Sequence, residues 1–360
     1  MKSSALQKLS FSGFLAVAMF LASNAQAQNL TLEGQTGGFL TPTAYVVYAE
    51  KGQFFSHPAI GIHYIDASKV IGNIETLSIT ESFASRAELG YTRSFHQFGD
   101  SGSGSTSAAV VPGGFSQLWN SNGMNIFHGK VVGIKDGQWG AWTPGLAVGG
   151  LVRTGDKFVT GQAAVLATEA NNYYCYETGA YQLGLCNPQV AVPAAKAYTN
   201  GDVYIAITKT WAKKPVPFLA NFGWKATNAT IFGIGGQSTR FGGRVFGGLG
   251  IPLPLGHGIV AVPSMGFTQE PGTSKGLGAA SYTSLPLVAG KADIPTTLDY
   301  AVRVTQRERP HFAFDIGIGA VASNIGSAPT FTFPSGAING TAPVDLQAKK
   351  VLGIGLSYRY

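Results

Sequence analysis

Charged side chains are the first candidates for chemistry, and in this chain they recur on alternate residues. In TTLDYAVRVTQR (296–307), Asp299, Arg303 and Arg307 share one parity, while Leu298, Tyr300, Val302 and Val304 share the other. The same sorting places Lys130, Arg153, Lys225, Arg240, Arg244 and Arg359, with Glu88 and Asp315, on the polar side of other segments. Ammonium and guanidinium groups gathered on one wall draw anions, because a low-dielectric surround focuses their field. The competing reading is that the arginines pair with Glu88, Asp299 and Asp315 across neighbouring segments and only line a polar interior.

Other constellations carry less chemistry. A serine two residues after a histidine would put a nucleophile and its base on one strand face. None of His57, His63, His96, His128, His257 and His311 has one. Asp100, Asp156 and Asp293 have no histidine beside them to form an acid–base couple. By parity His63, His128 and His311 are polar wall residues. Glycine runs such as FGGRVFGGLG (241–250) lead into no helix whose amino terminus could hold a phosphate. The basic residues are dispersed, which argues against nucleic acid as a partner. No enzymatic activity, metal or cofactor is expected. Cys175 and Cys186 lie in YYCYETGAYQLGLC; in an oxidising compartment a pair this close reads as a disulfide, contributing about 3 kcal/mol in the chain-entropy model.

The elements that must position these residues follow from period two. Alternation of apolar and polar residues marks strands at 57–65, 74–83, 86–97, 125–135, 142–154, 202–212, 217–228, 239–252, 258–269, 296–307, 310–323 and 346–360. Each is near the ~9–11 residues of a tilted membrane strand. The connections alternate in length. Ala84-Ser85, Asp136-Gly137, Lys213-Lys214, Leu255-Gly256 and Glu308-Arg309 are short; 98–124, 155–201, 229–238, 270–295 and 324–345 lie between them. Membrane barrels sort their turns and loops this way, with short turns in the periplasm and longer loops outside. Trp142, Trp211, Tyr358 and Tyr360 fall near strand ends, as interfacial girdles require. Lys209 and Arg93 break the apolar side, towards segment ends, where snorkelling or a bulge would accommodate them. Phe246 and Leu219 are expected to project inward.

Composition agrees. Charged residues are 12% of the 360, about half of the ~25% usual in soluble domains. There are 49 glycines. The first residues read as a secretory signal: Lys2 and Lys8, the apolar run FLAVAMFLA, and a small-x-small site that places cleavage after Ala27. An exported chain poor in charge and without a spanning helix fits a transmembrane barrel, the other architecture that satisfies every backbone group in lipid. A soluble all-β domain is the alternative. The expected organisation is a signal peptide over 1–27, an amino-terminal segment over 28–56 and an antiparallel up-and-down barrel of about twelve strands over 57–360.

Two stretches carry a resemblance. The final Gly355, Tyr358 and Tyr360 resemble the carboxy-terminal aromatic assembly signal of bacterial outer-membrane barrels, with Gly353 standing where that pattern has a polar residue. TGGFLTPTAYVVYAEKG (36–52) resembles the opening of an outer-membrane β-barrel family with a glycine-rich Leu-Thr-Pro mature amino terminus, carried by Gly37, Gly38, Leu40, Thr41 and Pro42; RAELGYTRSF (86–95) is similar to its third strand. The resemblance implies residence in the outer membrane of a Gram-negative bacterium, with lipid, lipopolysaccharide and the assembly machinery as partners. A porin-like passive channel for small polar or anionic solutes is the first functional expectation. A non-conducting structural or export-accessory barrel, for instance linked to surface polysaccharide, or a transporter of hydrophobic compounds, is the alternative. For residues 28–56 two placements stand open. One is a fold-back into the barrel, into space left by Gly145, Gly149, Gly242, Gly248, Gly250, Gly317, Gly319, Gly353 and Gly355. The other is a periplasmic segment or added strand.

Overall fold

The computed structural model describes residues 29–67, 72–97, 123–155, 182–184, 199–211, 217–229, 232–233, 237–271, 296–306, 312–321, 327–332, 337–343 and 350–359. The signal peptide with its cleavage site, Cys175, Cys186, Arg307, His311, Tyr360 and the turns at Lys213-Lys214 and Glu308-Arg309 lie outside the described residues.

The strands are β1 (Ala59–Ala67), β2 (Gly72–Phe83), β3 (Ala87–Gln97), β4 (Gly123–Ile134), β5 (Gly145–Gly155), β6 (Thr199–Trp211), β7 (Phe218–Ala229), β8 (Gln237–Gly250), β9 (Leu253–Gly256), β10 (Ile259–Gln269), β11 (Thr296–Gln306), β12 (Phe312–Val321), β13 (Ser327–Thr332), β14 (Ala337–Pro343) and β15 (Lys350–Arg359). Each barrel strand pairs antiparallel with its neighbours in order, and β15 returns to β1 from Ala59↔Arg359 to Asp66↔Leu352. The result is a closed twelve-strand barrel of β1 to β8, β10, β11, β12 and β15, with β9 as one extra strand. Closure leaves no unpaired edge.

The two faces of the wall are inverted relative to a soluble sheet. Inward residues are mostly polar and buried: His63, Thr76, Ser78, Thr80, Ser82, Glu88, Thr92 and Ser94 occupy inward positions of β1 to β3, with Ile65 and Ile74 among them. Outward residues are apolar and uncovered, with Ile62 54%, Leu89 60% and Phe222 54% exposed. Water would leave this belt unfavourable at about 25 cal/mol per Å²; hydrocarbon removes that cost, so the barrel spans a membrane. Charged outward residues among those described are few. Asp66, Glu75, Glu81 and Lys209 lie towards strand ends, whereas Arg93, expected towards a segment end, lies in the middle of β3 opposite Leu77. Arg93 lies over the Phe95 ring, 5.2 Å from its centroid. Lys209 bends to the turn after β4, where its Nζ meets Asp136 Oδ1 at 2.5 Å and Thr143 O at 3.3 Å. The end bearing both chain ends of the barrel carries an aromatic rim of Phe54, Phe55, Trp139, Trp142 and Tyr358, all exposed, with Trp211 stacked on Phe218 at 4.3 Å.

Three expected connections differ. The Leu255-Gly256 turn is part of β9, and the chain reverses through Gly256, His257 and Gly258, all at positive φ. The β4–β5 connection covers 135–144 because Pro144 has no amide for the ladder. Ala84 and Ser85 form the tight turn as expected, both at positive φ (52° and 50°), the left-handed pair a primed hairpin turn needs. The stretch 324–345, read as loop, contains the β13–β14 hairpin; its short, Pro- and Gly-interrupted alternation hid it.

Ile62→Arg, near the middle of β1, should cost about 2–4 kcal/mol of folding free energy in lipid. Denaturant titration of protein folded into vesicles checks this; an unchanged midpoint would mean that the outer face does not meet hydrocarbon.

Candidate functional site

The interior is occupied by the amino-terminal segment. Residues 29–47 are nearly all buried, and each contact below is to an inward side chain of the wall or to the turn after β4. The segment first folds on itself. Thr31 Oγ1 accepts from the amides of Glu33 and Gln35, both at 3.2 Å, and Gly34 N donates to Thr31 O at 2.9 Å. Gly34 has φ +85°, and a Cβ there would run into Thr92 Oγ1; any other residue would be strained and would collide. Leu30↔Thr36 and Gly37↔Pro42 bridges complete two compact turns.

Anchors then fix it around the barrel. Thr36 N and Oγ1 donate to the Glu88 carboxylate at 3.1 and 2.6 Å. Lys130 Nζ donates to Thr36 O at 2.9 Å and pairs with Glu88 at 2.9 Å. Arg303 Nη1 donates to Gly37 O, Asn221 Nδ2 to Pro42 O and Ala44 N to Thr208 Oγ1, at 3.0, 2.9 and 2.8 Å. Ser82 Oγ donates to Val47 O at 2.5 Å. Arg359 donates to Tyr48 O at 2.9 Å, its guanidinium 5.1 Å from the Tyr48 ring centroid. The Gly-Gly-x-Leu-Thr-Pro stretch therefore presents backbone carbonyls to side chains of β7 and β11. Tyr45 OH donates to Asp136 Oδ2 at 2.8 Å and meets Thr210 Oγ1 at 2.9 Å. Burial, with the neighbouring Asp136 charge, pushes its phenol above the usual range.

The deepest contact is ionic. Glu33 reaches Arg153 of β5, with Nε–Oε1 at 2.5 Å and Nη2–Oε2 at 2.9 Å, and Arg153 Nη2 also meets Asp202 of β6 at 2.9 Å. Above them Lys225 pairs with Glu270 at 3.4 Å, and Glu270 accepts from Phe232 N at 3.1 Å.

Of the basic positions placed inward by parity, Lys130, Arg153, Lys225, Arg303 and Arg359 face the segment or an acid. Arg244 is half-buried and donates to Gly243 O at 2.7 Å; Arg240 is exposed, towards the loop end of β8. Among the acids, Glu88 binds Lys130 and Asp315 holds Arg303 in a fork at 2.8 and 3.1 Å. Asp299 has no such partner: its buried Oδ1 meets no donor of the protein. Counting by parity missed three carboxylates: Glu33, Asp202 and Glu270. Asp202 sits on the inward parity of β6 and was readable there. Glu33 belongs to a segment without strand periodicity, and Glu270 lies one residue beyond β10. Gly355 and Tyr358 sit in β15, the first inward against His63, the second outward and 48% exposed.

The inward glycines serve different neighbours. Gly353 gives its space to the Phe39 ring of the segment, and Gly145 faces Ala44 at 3.4 Å. Gly149 instead makes room for Tyr204, Gly355 for His63, Gly250 for Val262, Gly317 for Ala301 and Gly319 for Val351, so most admit side chains of the wall itself. Phe246 does project inward, buried edge-on against Tyr204 at 6.1 Å. His63 packs edge-on to Phe39 at 6.0 Å, and His128 Nε2 lies 3.4 Å from Thr80 Oγ1. Along the β7, β8, β10 and β11 wall the segment leaves a crevice of about 80 Å³, lined by Phe39, Thr41, Leu219, Asn221, Gly266, Asp299 and Arg303 among others.

No family model and no curated protein matches the sequence. Solved barrels resemble it weakly. The KdgM porin is 9% identical, with 84% of this chain and 99% of that one covered and a TM-score of 0.40. An outer membrane channel from Pseudomonas putida F1 is 11% identical over 87% of this chain and all of its own, TM-score 0.41. LpxR from Salmonella typhimurium is 10% identical over 84% of this chain and all of its own, TM-score 0.45.

Replacing Arg153 by Met should cost about 3–5 kcal/mol, because it leaves Glu33 and Asp202 buried without a counter-charge. Glu33→Gln should cost less, since Asp202 still answers Arg153. Denaturant unfolding of both variants and the double variant in detergent micelles measures the coupling; additive losses would show that the pair does not hold the segment.

Proposed function

We propose that this chain is an outer-membrane channel for small polar solutes whose passage is narrowed by its own amino-terminal segment. The observation that carries the reading is the run of anchors from Glu33 to Tyr48 on inward side chains, beside an open crevice along one wall. Leu30, Phe39, Ala44 and Val46 of the segment pack on wall residues, while hydrogen bonds and ion pairs fix its backbone between those contacts. Part of its length faces the crevice.

Four of the eight basic positions weigh less towards an anion preference in this arrangement. Lys130, Arg153, Lys225 and Arg303 each spend their charge on a carboxylate within 3.4 Å. Paired charges at contact distance project a weak field into the passage. The same tight anchoring favours a second reading, a non-conducting barrel serving a structural or export role at the cell surface.

One comparison separates the two. The full chain and a variant lacking residues 29–50 are refolded, checked for heat-modifiable mobility, and recorded in planar bilayers. The expected result is a small conductance for the full chain and a several-fold larger one for the variant. Equal conductance would remove the segment from any role in passage, and silence of both would favour the accessory reading.

A further inference from the structure

Asp299 is the one described inward carboxylate that forms no ion pair at contact distance. Glu33, Glu88, Asp202, Glu270 and Asp315 are each paired. Asp299 is 4% exposed, and its Oδ1 meets no donor of the protein. Leaving a buried carboxylate oxygen unbonded is costly, about 1–3 kcal/mol or more. Of the described buried side-chain atoms left without a partner, Asp299 Oδ1 is the one whose residue lines the crevice. The nearest cation along its strand, Arg303, is forked on Asp315 and gives Nη1 to Gly37 O.

The position is shaped to hold a carboxylate and to admit a ligand. Gly266 lies directly opposite Asp299 in the β10–β11 register, and a Cβ there would press on Asp299 Oδ1. The glycine thus makes the room in which the carboxylate lies. Asp299 lines the crevice between segment and wall, with Phe39, Thr41 and Ser264 on its sides. Arg303 lines the same crevice but is already paired with Asp315, so the group of two carboxylates and one guanidinium keeps a net negative charge. With the Phe39 ring and the hydroxyls it suits a group that is positive, donates hydrogen bonds and carries apolar edges.

We propose that the crevice is a binding site for cationic small solutes, an ammonium or guanidinium group docking on Asp299. The inference rests on the channel reading only for transport; the site itself is independent of conduction. Carboxylates lining a passage favour cations, the reverse of what the count of arginines suggested.

Binding of labelled arginine to the full chain folded in detergent tests it, by equilibrium dialysis. The wild type should bind saturably. Asp299→Asn should weaken binding about tenfold or more, the worth of a hydrogen bond to a charged group, and Asp299→Glu should recover part of it. Gly266→Ala, which crowds the same carboxylate with its charge intact, should also weaken binding. No saturable binding, or equal binding by Asp299→Asn, overturns the proposal. Reversal potentials in a potassium chloride gradient then separate the two readings. Arginine binding lost in Asp299→Asn, with both proteins silent in bilayers, would keep the site and remove the channel. Conduction with unaltered arginine binding in the variant would keep the channel and remove the site.

Discussion

The register from Ala59↔Arg359 to Asp66↔Leu352 joins the last strand to the first, and the rest of the molecule depends on that seam. A sheet in hydrocarbon cannot leave amides and carbonyls unpaired along an edge. Closing the sheet removes the edge and at the same stroke creates an inside. Everything polar that alternation turns away from lipid must then be satisfied within a confined space. Thr76, Ser78, Thr80, Glu88, Lys130 and Arg153 are buried as thoroughly as a hydrophobic core, although their groups prefer water.

That confinement explains why the amino-terminal segment is made as it is. Its carbonyls at Glu33, Gly34, Thr36, Gly37, Pro42 and Val47 accept from Thr92, Thr80, Lys130, Arg303, Asn221 and Ser82. Tight turns expose backbone carbonyls sideways, so a glycine- and threonine-rich segment can answer many wall donors in a short length. The carboxylate of Glu33 answers Arg153 in the same way. Wall and segment are complementary halves of one polar network, in which each group left out is costly. Asp299 stands apart because the segment passes it without supplying a donor.

The barrel itself was legible before any coordinates. The segment read at 296–307 is β11 within a residue, 217–228 is β7, and the inward parity of Asp299, Arg303 and Asp315 holds. Departures came where local chemistry interrupts the period. Pro144 delayed β5, Gly256 and Gly258 moved a turn, and the β13–β14 hairpin was too short and too broken to register. Interior pairing was less legible. Lys130 with Glu88 follows from the β3–β4 register, where the two residues are directly opposite. Arg153 with Glu33 joins residues 120 positions apart through a segment that shows no periodicity.

The sequence by itself determined the strands, their faces and the solvent each face meets, because side-chain direction in a strand alternates with period two and needs no knowledge of neighbours. It also determined which end bears the short turns. Only the tertiary structure decided what fills the interior, which cation each carboxylate meets, and that Asp299 forms no ion pair at contact distance. Those outcomes depend on where residues 29–48 lie against a wall assembled from every strand. A through-space Coulomb or hydrogen-bond contact, unlike a strand's alternation, leaves no trace in the order of residues along the chain.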